Sequence, residues 1–279
     1  MANSAYGSGL NLDALMVPVQ AATVYAAQET SLYLPGILIP TVQVPAGSAS
    51  AQVAVMGSVT ATAISTEGTG ANPQDFDTVL PADTKVSIPL ELIAARTVLR
   101  DLGGIDTNDM GRIMGNAIAA SIDTKVSTAL AGLTAQESLG VNLLDEMFKA
   151  IGTIRANGET GALSCTVSAA AYQGFMSVIG SSAYAGGETQ NAAMRSGFIG
   201  MVAGVPCYVS SYLNDTNTSL TNTKFAVYSA DALRLAMQGG VNVEMERRAA
   251  AVGNDIVASA AFGVGLIDAT RGVIVQDAV

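Results

Sequence analysis

The sequence predicts an α+β protein of long extended runs and three helices. Three observations carry that reading. From Thr30 to Thr66 no side chain is charged, and the interior is Val, Ile, Thr, Ser and Ala, residue types that suit a pleated, half-buried backbone. From Asp106 to Gly132 apolar residues recur at the three-to-four spacing of one helical face. Beyond Leu143, strand-like runs alternate with two more helical segments and then close on alternating strands.

The segment Met1–Gln28 carries one amphipathic patch, Leu12, Leu15, Met16 and Val19. Pro18 breaks any long helix there, so the segment reads as an arm lying on another surface. Thr30–Val44 is predicted as a strand, with Pro35, Pro40 and Pro45 confining it to an edge or an irregular path. Ser50–Ser65 and Asp77–Leu90 are two extended runs in which Val53 and Val55 flank Ala54, and Val86 and Ile88 flank Ser87. The turn formers of Thr66–Asp75 join them, so the expectation is a long β-hairpin with an acidic tip. An ordinary surface hairpin within one domain also fits this pattern. Ser, Thr, Gln, Pro and Gly interrupt the uncharged run too often for a membrane span. An extended ribbon needs cover in water, from its own chain or from a partner.

The helix over Asp106–Gly132 has Asp106 or Thr107 as its cap, Asp109 in the first turn and Gly132 as its stop. Its predicted buried stripe runs from Met110, Ile113 and Met114 through Ala117, Ile118 and Ile122 to Leu130. Such a helix is about 35–40 Å long. Leu143–Ala156 follows, capped by Asn142, with Leu143, Leu144, Met147, Phe148, Ile151 and Ile154 in its stripe and Asn157-Gly158 at its end. The third helix is Ser168–Ile179, preceded by a strand at Leu163–Val167. Gly204–Ser210 and Lys224–Ser229 read as strands around the polar loop Asn214–Thr223. Val241–Glu246 alternates apolar and polar residues, and Asp255–Ile267 and Gly272–Val275 are strands on either side of a turn at Asp268–Arg271.

Composition narrows the function. The 279 residues suffice for one large domain or two. Charged residues make up 13%, against a usual ~25%, which points to surface covered by partners. Aromatics are 5% and Trp is absent, so the core is built of small side chains. Net charge is −10, and none of the 13 Lys and Arg precedes Lys85. That argues against nucleic-acid recognition, which needs clustered basic side chains, and against a secretory signal. The expectation is a soluble protein made in the cytoplasm. The chain has no His, which removes the commonest general base and zinc ligand and makes Ser-His-Asp and Cys-His nucleophile arrangements impossible within it. Cys165 and Cys207 are too few for a disulfide framework and are expected as buried thiols. No phosphate-binding glycine loop occurs. Glu67, Asp75 and Asp77, with Asn72, do not match a calcium loop. No catalytic, cofactor-binding or metal-binding residue is assigned, and an enzyme is not expected.

Arm, uncharged strand, hairpin, long helix, α/β section and closing strands occur in a distinctive order. YAAQETSLYLPGIL at Tyr25–Leu38, the hairpin runs up to DTKVSIPLELIA, and DMGRIMGNAIAASIDTKVSTALAG at Asp109–Gly132, with its Ile122-Asp123 pair, carry a resemblance. So do CTVSAAAYQGFMSVIG at Cys165–Gly180, GMVAGVPCYVSSYL at Gly200–Leu213 and the closing strands Val241–Val275. Over nearly its whole length the chain resembles the major capsid proteins of tailed bacteriophages, with the Hong Kong 97-type fold. The resemblance implies an N-terminal arm at 1–35, a strand into the peripheral domain at 36–49 and an extended loop at 50–90. It further implies a peripheral domain at 91–139 with a spine helix at 106–132, an axial domain at 140–238 and peripheral closing strands at 239–279. The implied function is structural: pentamers and hexamers of this chain close an icosahedral shell around a DNA genome. The implied partners are copies of itself, a separate scaffolding protein, a portal and a decoration protein, without sequence-specific nucleic-acid binding or a membrane. With no Lys in the loop before Lys85, the Lys–Asn crosslink of some relatives is not expected. The basic residues lie outside the loop, so Glu67, Asp75 and Asp77 are expected to face Arg96, Arg100, Arg247 and Arg248 of a neighbouring copy. Alternative readings are an encapsulin-like nanocompartment shell and a secreted or tail-associated β-rich structural protein.

Overall fold

The computed structural model describes residues 19–27, 31–36, 38–56, 83–100, 107–138, 142–179, 200–202, 204–213 and 223–277. Residues 19–27, within the expected arm, are helical and are labelled α1. The long helix α2 spans Thr107–Leu130, about 36 Å, and ends through tight turns in which the Ala131 and Gly132 N–H groups bond Thr128 and Ala129 carbonyls at 3.2 and 3.1 Å. Its buried stripe steps by four, through Met110, Met114, Ile118, Ile122, Val126 and Leu130. Ile113, expected in that stripe, is 63% exposed. The buried face is turned from the predicted one: Gly111, Gly115, Ala119, Asp123 and Ser127 are buried beside the stripe, while Ile113 and Ala117 are exposed.

A four-stranded sheet lies beneath α2, in the order β1-β10-β11-β4, with β1 Thr41–Gln43, β4 Glu91–Arg100, β10 Leu233–Arg248 and β11 Gly253–Leu266. β1 runs parallel to β10, and β10, β11 and β4 are antiparallel neighbours. The stripe of α2 packs with Val243, Ile256, Ala258 and Phe262 in one core. The β10 strand is longer than the predicted Val241–Glu246. The pairing is irregular between Gln238 and Asn242, where Gly239 (φ 70°) and Gly240 lie, and the sheet continues on both sides of this glycine bulge.

A six-stranded sheet has the order β5-β12-β9-β6-β8-β7, with β5 Thr134–Ser138, β6 Leu163–Ser168, β7 Gly200–Val202, β8 Val205–Ser210, β9 Thr223–Ser229 and β12 Gly272–Asp277. Helices α3 (Leu143–Ala156) and α4 (Ala169–Ile179) pack on it around Met147, Ile154, Phe175 and Phe225. Asn142 caps α3 by accepting the Leu144 N–H at 3.1 Å. Phe148, expected in the buried stripe of α3, is 46% exposed; Met147 and Ala150 fill the core side instead. Strands β5 and β12, at the edges of the expected peripheral segments, pair with each other in this sheet. Only five residues, ending in a short turn at Ala269–Arg271, separate β11 in one sheet from β12 in the other. The Arg271 guanidinium braces that turn against Asp268 and Glu159, each at 3.1 Å, and Asp231 at 3.5 Å.

Strands β2 (Ser50–Met56) and β3 (Asp83–Pro89) pair antiparallel from Ser50↔Pro89 to Met56↔Asp83. They form the described part of the expected hairpin; its expected tip, Thr66–Asp75, lies outside the described residues. Two expectations change. The predicted strand Thr30–Val44 is extended only at Thr41–Gln43. Before it, the Ser31 hydroxyl accepts the Tyr33 and Leu34 N–H groups at 3.3 and 3.1 Å and Gly36 takes φ 73°, so local turns displace the strand. Strand β4, sequence ELIAARTVLR, was not expected. Its Glu, Leu, Ala and Arg are helix formers, and ten register pairs with β11 override that preference.

Candidate assembly surfaces

Three junctions govern how the arm, the hairpin and the sheet edge are presented. The first joins α1 to α2. A Cβ at Gly115 would stand 2.8 Å from Ala26 Cβ and 3.0 Å from Ala27 N, and one at Gly111 would stand 2.8 Å from Ala22 Cβ. Only glycine lets the two backbones approach this closely. One turn and more further along α2, the buried Asp123 reaches the chain leaving α1. It accepts the Ser31 hydroxyl at 2.6 Å and the Leu32 N–H at 3.1 Å. Burial raises the Asp123 carboxyl above its usual range, and the bonds from Ser31 and from the Leu32 and Tyr33 N–H groups offset only part of that rise. The following residue, Tyr33, is fully buried. Its hydroxyl donates to Thr166 Oγ1 at 3.3 Å, and Thr166 Oγ1 lies 2.9 Å from the Tyr228 hydroxyl. Burial pushes both tyrosine hydroxyls up. The arm is thereby tied to the long helix and to the six-stranded sheet within three residues.

The second junction is the hairpin base. Val44, Ala51, Ile88 and Ala236 form a small core of their own. Leu90 N–H donates to Ala49 O at 2.9 Å, Val44 N–H to Met237 O at 2.8 Å, and Gln238 Nε2 to Pro45 O at 2.8 Å. The hairpin presses on β11 at two glycines, with the Pro89 backbone on Gly263 and the Ile88 side chain on Gly265. A Cβ at Gly263 would collide with the Pro89 carbonyl and lie 3.2 Å from Ile88 Cγ2, and one at Gly265 would lie 2.8 Å from Ile88 Cδ1. Beyond this base, Gln52, Ala54, Thr84, Lys85 and Ser87 are exposed. Lys125 on α2 pairs with Glu91 at 2.5 Å beside the base.

The third junction is the far end of the four-stranded sheet. Arg96 Nε donates to both Asp255 oxygens, at 2.9 and 3.0 Å, and its Nη2 also bonds Oδ2. Arg248 Nη1 stands 3.9 Å from the same carboxylate. The hydrogen bond from Arg96 holds the Asp255 carboxyl below its usual range. Arg100 and Arg248 both sit in register with Gly253. The sheet thus gathers three of the four expected arginine positions at one end. Arg247 neighbours them on the exposed last stretch of β10. Arg96 and Arg248 already share an acid within the chain. Glu67, Asp75 and Asp77 lie outside the described residues, so the structure does not place their partners.

Asp123, Ser31, Tyr33 and Thr166 had no assigned role in the sequence reading. The available signal was a carboxylate beside Ile122 within an apolar helix stripe, and glycines four apart at Gly111 and Gly115. Large apolar side chains stand exposed at Tyr25, Leu92, Ile113, Phe148, Met201 and Val252. Among the described residues no three His, Cys, Asp or Glu side chains gather as a metal site, and no helix is long and apolar enough to cross a membrane.

No protein-family model and no curated protein matches this sequence. Solved structures do. The chain is similar to one from the capsid structure of the cyanophage P-SCSP1u, at 17% identity, covering 86% of each chain, with a TM-score of 0.66. It is similar to the mature capsid of bacteriophage PhiM1, at 16% identity, covering 85% of this chain and 84% of that one, with a TM-score of 0.60. It is also similar to the virus-like particle from Pyrococcus furiosus, at 10% identity, covering 94% of this chain and 99% of that one, with a TM-score of 0.65. The fold is the Hong Kong 97-type capsid fold.

Proposed function

We propose that this chain is the major capsid protein of a tailed bacteriophage and self-assembles as pentamers and hexamers into an icosahedral shell around DNA. The observation that carries the reading is the β2–β3 hairpin in the context of that fold. Only Ala51 and Ile88 of its described side chains are buried by the chain itself. A two-stranded ribbon is marginal in water, and a neighbouring copy supplies the missing cover. The low charge content has the same explanation. In this reading α2 is the spine helix and 1–35 the arm that laces subunits together. The axial domain is the six-stranded sheet with α3 and α4, drawing β5 and β12 into the 140–238 segment. Glu67, Asp75 and Asp77 of the loop meet Arg96, Arg100, Arg247 and Arg248 of a neighbour, a pairing motivated by the basic residues all lying outside the loop tip. A scaffolding protein, a portal and a decoration protein complete the virion, which assembles in the host cytoplasm. The protein has no catalytic role.

A second reading, a shell that packages no viral genome, draws on the 99% coverage of the Pyrococcus furiosus virus-like particle chain. Expression of the chain, sedimentation and negative-stain microscopy test the proposal: closed shells or capsomer rings support it, and a monomer at assembly concentrations with and without scaffold refutes it. Nucleic-acid content of particles from infected cells separates the two shell readings.

A further inference from the structure

The fold brings the only two cysteines side by side. Cys165 on β6 and Cys207 on β8 are in-register neighbours on adjacent parallel strands. Both are fully buried, both are free thiols, and both face the core that holds Val167, Phe175 and Phe225. Adjacent strands lie about 4.8 Å apart, inside the about 4.4–6.8 Å Cα separation that disulfides span. The Cys207 thiol donates to Val205 O at 3.5 Å. Burial, reinforced by Cys207, raises the Cys165 thiol well above its usual range. The pair is therefore stored as thiols with little thiolate, a form that reacts slowly.

We propose that Cys165 and Cys207 are a redox modification site, closing to an intrachain disulfide when the folded protein meets a small peroxide. One thiolate sulfur attacks a peroxide oxygen; the S–O bond forms as the O–O bond breaks, and the thiol's proton leaves with the hydroxide as water. The second sulfur attacks the resulting sulfenic acid; the S–S bond forms as S–O breaks, and its proton leaves with that hydroxide as a second water. Two thiols lose two electrons, and one peroxide is reduced to two waters. The product ties β6 to β8 across the segment that carries α4, so the six-stranded sheet gains a covalent crosslink without a change of partner strands. The site stands on strand register alone. Only its timing, on release of particles from a reducing cell, rests on the capsid reading.

The test uses the intact native protein. It is treated with hydrogen peroxide, quenched, unfolded in guanidinium with iodoacetamide and cut with trypsin without reductant. Cleavage at Arg155, Arg195 and Lys224 leaves Cys165 in peptide 156–195 and Cys207 in peptide 196–224. The expected result is those two peptides joined, separated again by dithiothreitol, with formation faster at higher pH because the thiolate attacks. The oxidised protein should unfold at a temperature higher by roughly 5 °C or more. Recovery of the two peptides apart, with both cysteines alkylated or individually over-oxidised, overturns the proposal. Failure to form shells would count against the capsid reading and leave this readout unchanged.

Discussion

Replacing Gly263 with Ala should uncouple folding from assembly. The added Cβ meets the Pro89 carbonyl and stands 3.2 Å from Ile88 Cγ2. A carbon keeps about 3.3 Å or more from a carbonyl oxygen, so the backbone of the hairpin base gives by about 1 Å. That displacement acts across one strand spacing, about 4.8 Å, and tilts the hairpin by roughly 10°. Seven paired residues at about 3.4 Å each make an arm of about 24 Å, so its described end moves by roughly 4–5 Å. The cost within the subunit is the ordinary one of overpacking, about 1–3 kcal/mol, because the added methyl faces the hairpin base while α2 and the six-stranded sheet keep their packing. The assay compares urea midpoints of the disassembled protein with particle yield by sedimentation and microscopy. The expected result is a folded, soluble chain with particle yield reduced tenfold or more. Shells of normal yield and diameter would refute the argument that this glycine sets the hairpin's angle.

Asp123→Ala should release the chain that leaves α1. It strips the Ser31 hydroxyl and the Leu32 N–H of their acceptor in a buried site and should cost about 2–3 kcal/mol, read as a lower urea midpoint and faster proteolysis near Ser31. The Arg96–Asp255 pair predicts an acid limb. The depressed Asp255 carboxyl contributes stability that is present above the ordinary aspartate pKa of about 3.9 and is lost as pH falls through its folded value. Urea midpoints of wild type and Asp255→Asn should therefore differ at pH 7 and converge toward pH 3; a gap that persists at the acid end would show that the pair acts through shape rather than charge.

How much of this was legible in the sequence depended on the range of the interactions involved. Helix α3 lies at Leu143–Ala156 as its spacing and caps predict, because both signals are local. Strand β4 was illegible because ELIAARTVLR is locally as good a helix as a strand, and only β11, more than 150 positions later, decides. The turns at 31–36 were hidden by a composition that looked extended, since the deciding bonds run from the Tyr33 and Leu34 N–H groups to the Ser31 hydroxyl. At the assembly surfaces, the arginines were legible as charges outside the loop. That Asp255 binds Arg96 and stands near Arg248 was not, because strand register across three strands brings the three together. Gly263 and Gly265 read as ordinary small residues; their meaning lies in the hairpin that lands on them.

The turn at Ala269–Arg271 carries a consequence for the geometry of the proposed shell. With five residues between β11 and β12, and one guanidinium bracing the crossing against three carboxylates, the joint between the two sheets has little slack. A core that includes Ile256 of one sheet and Tyr228 of the other closes the gap from the inside. If the chain builds the proposed shell, fivefold and sixfold rings ask different curvature of one and the same subunit. With a body this stiff, that difference falls to the β2–β3 hairpin, which meets the body only through its base.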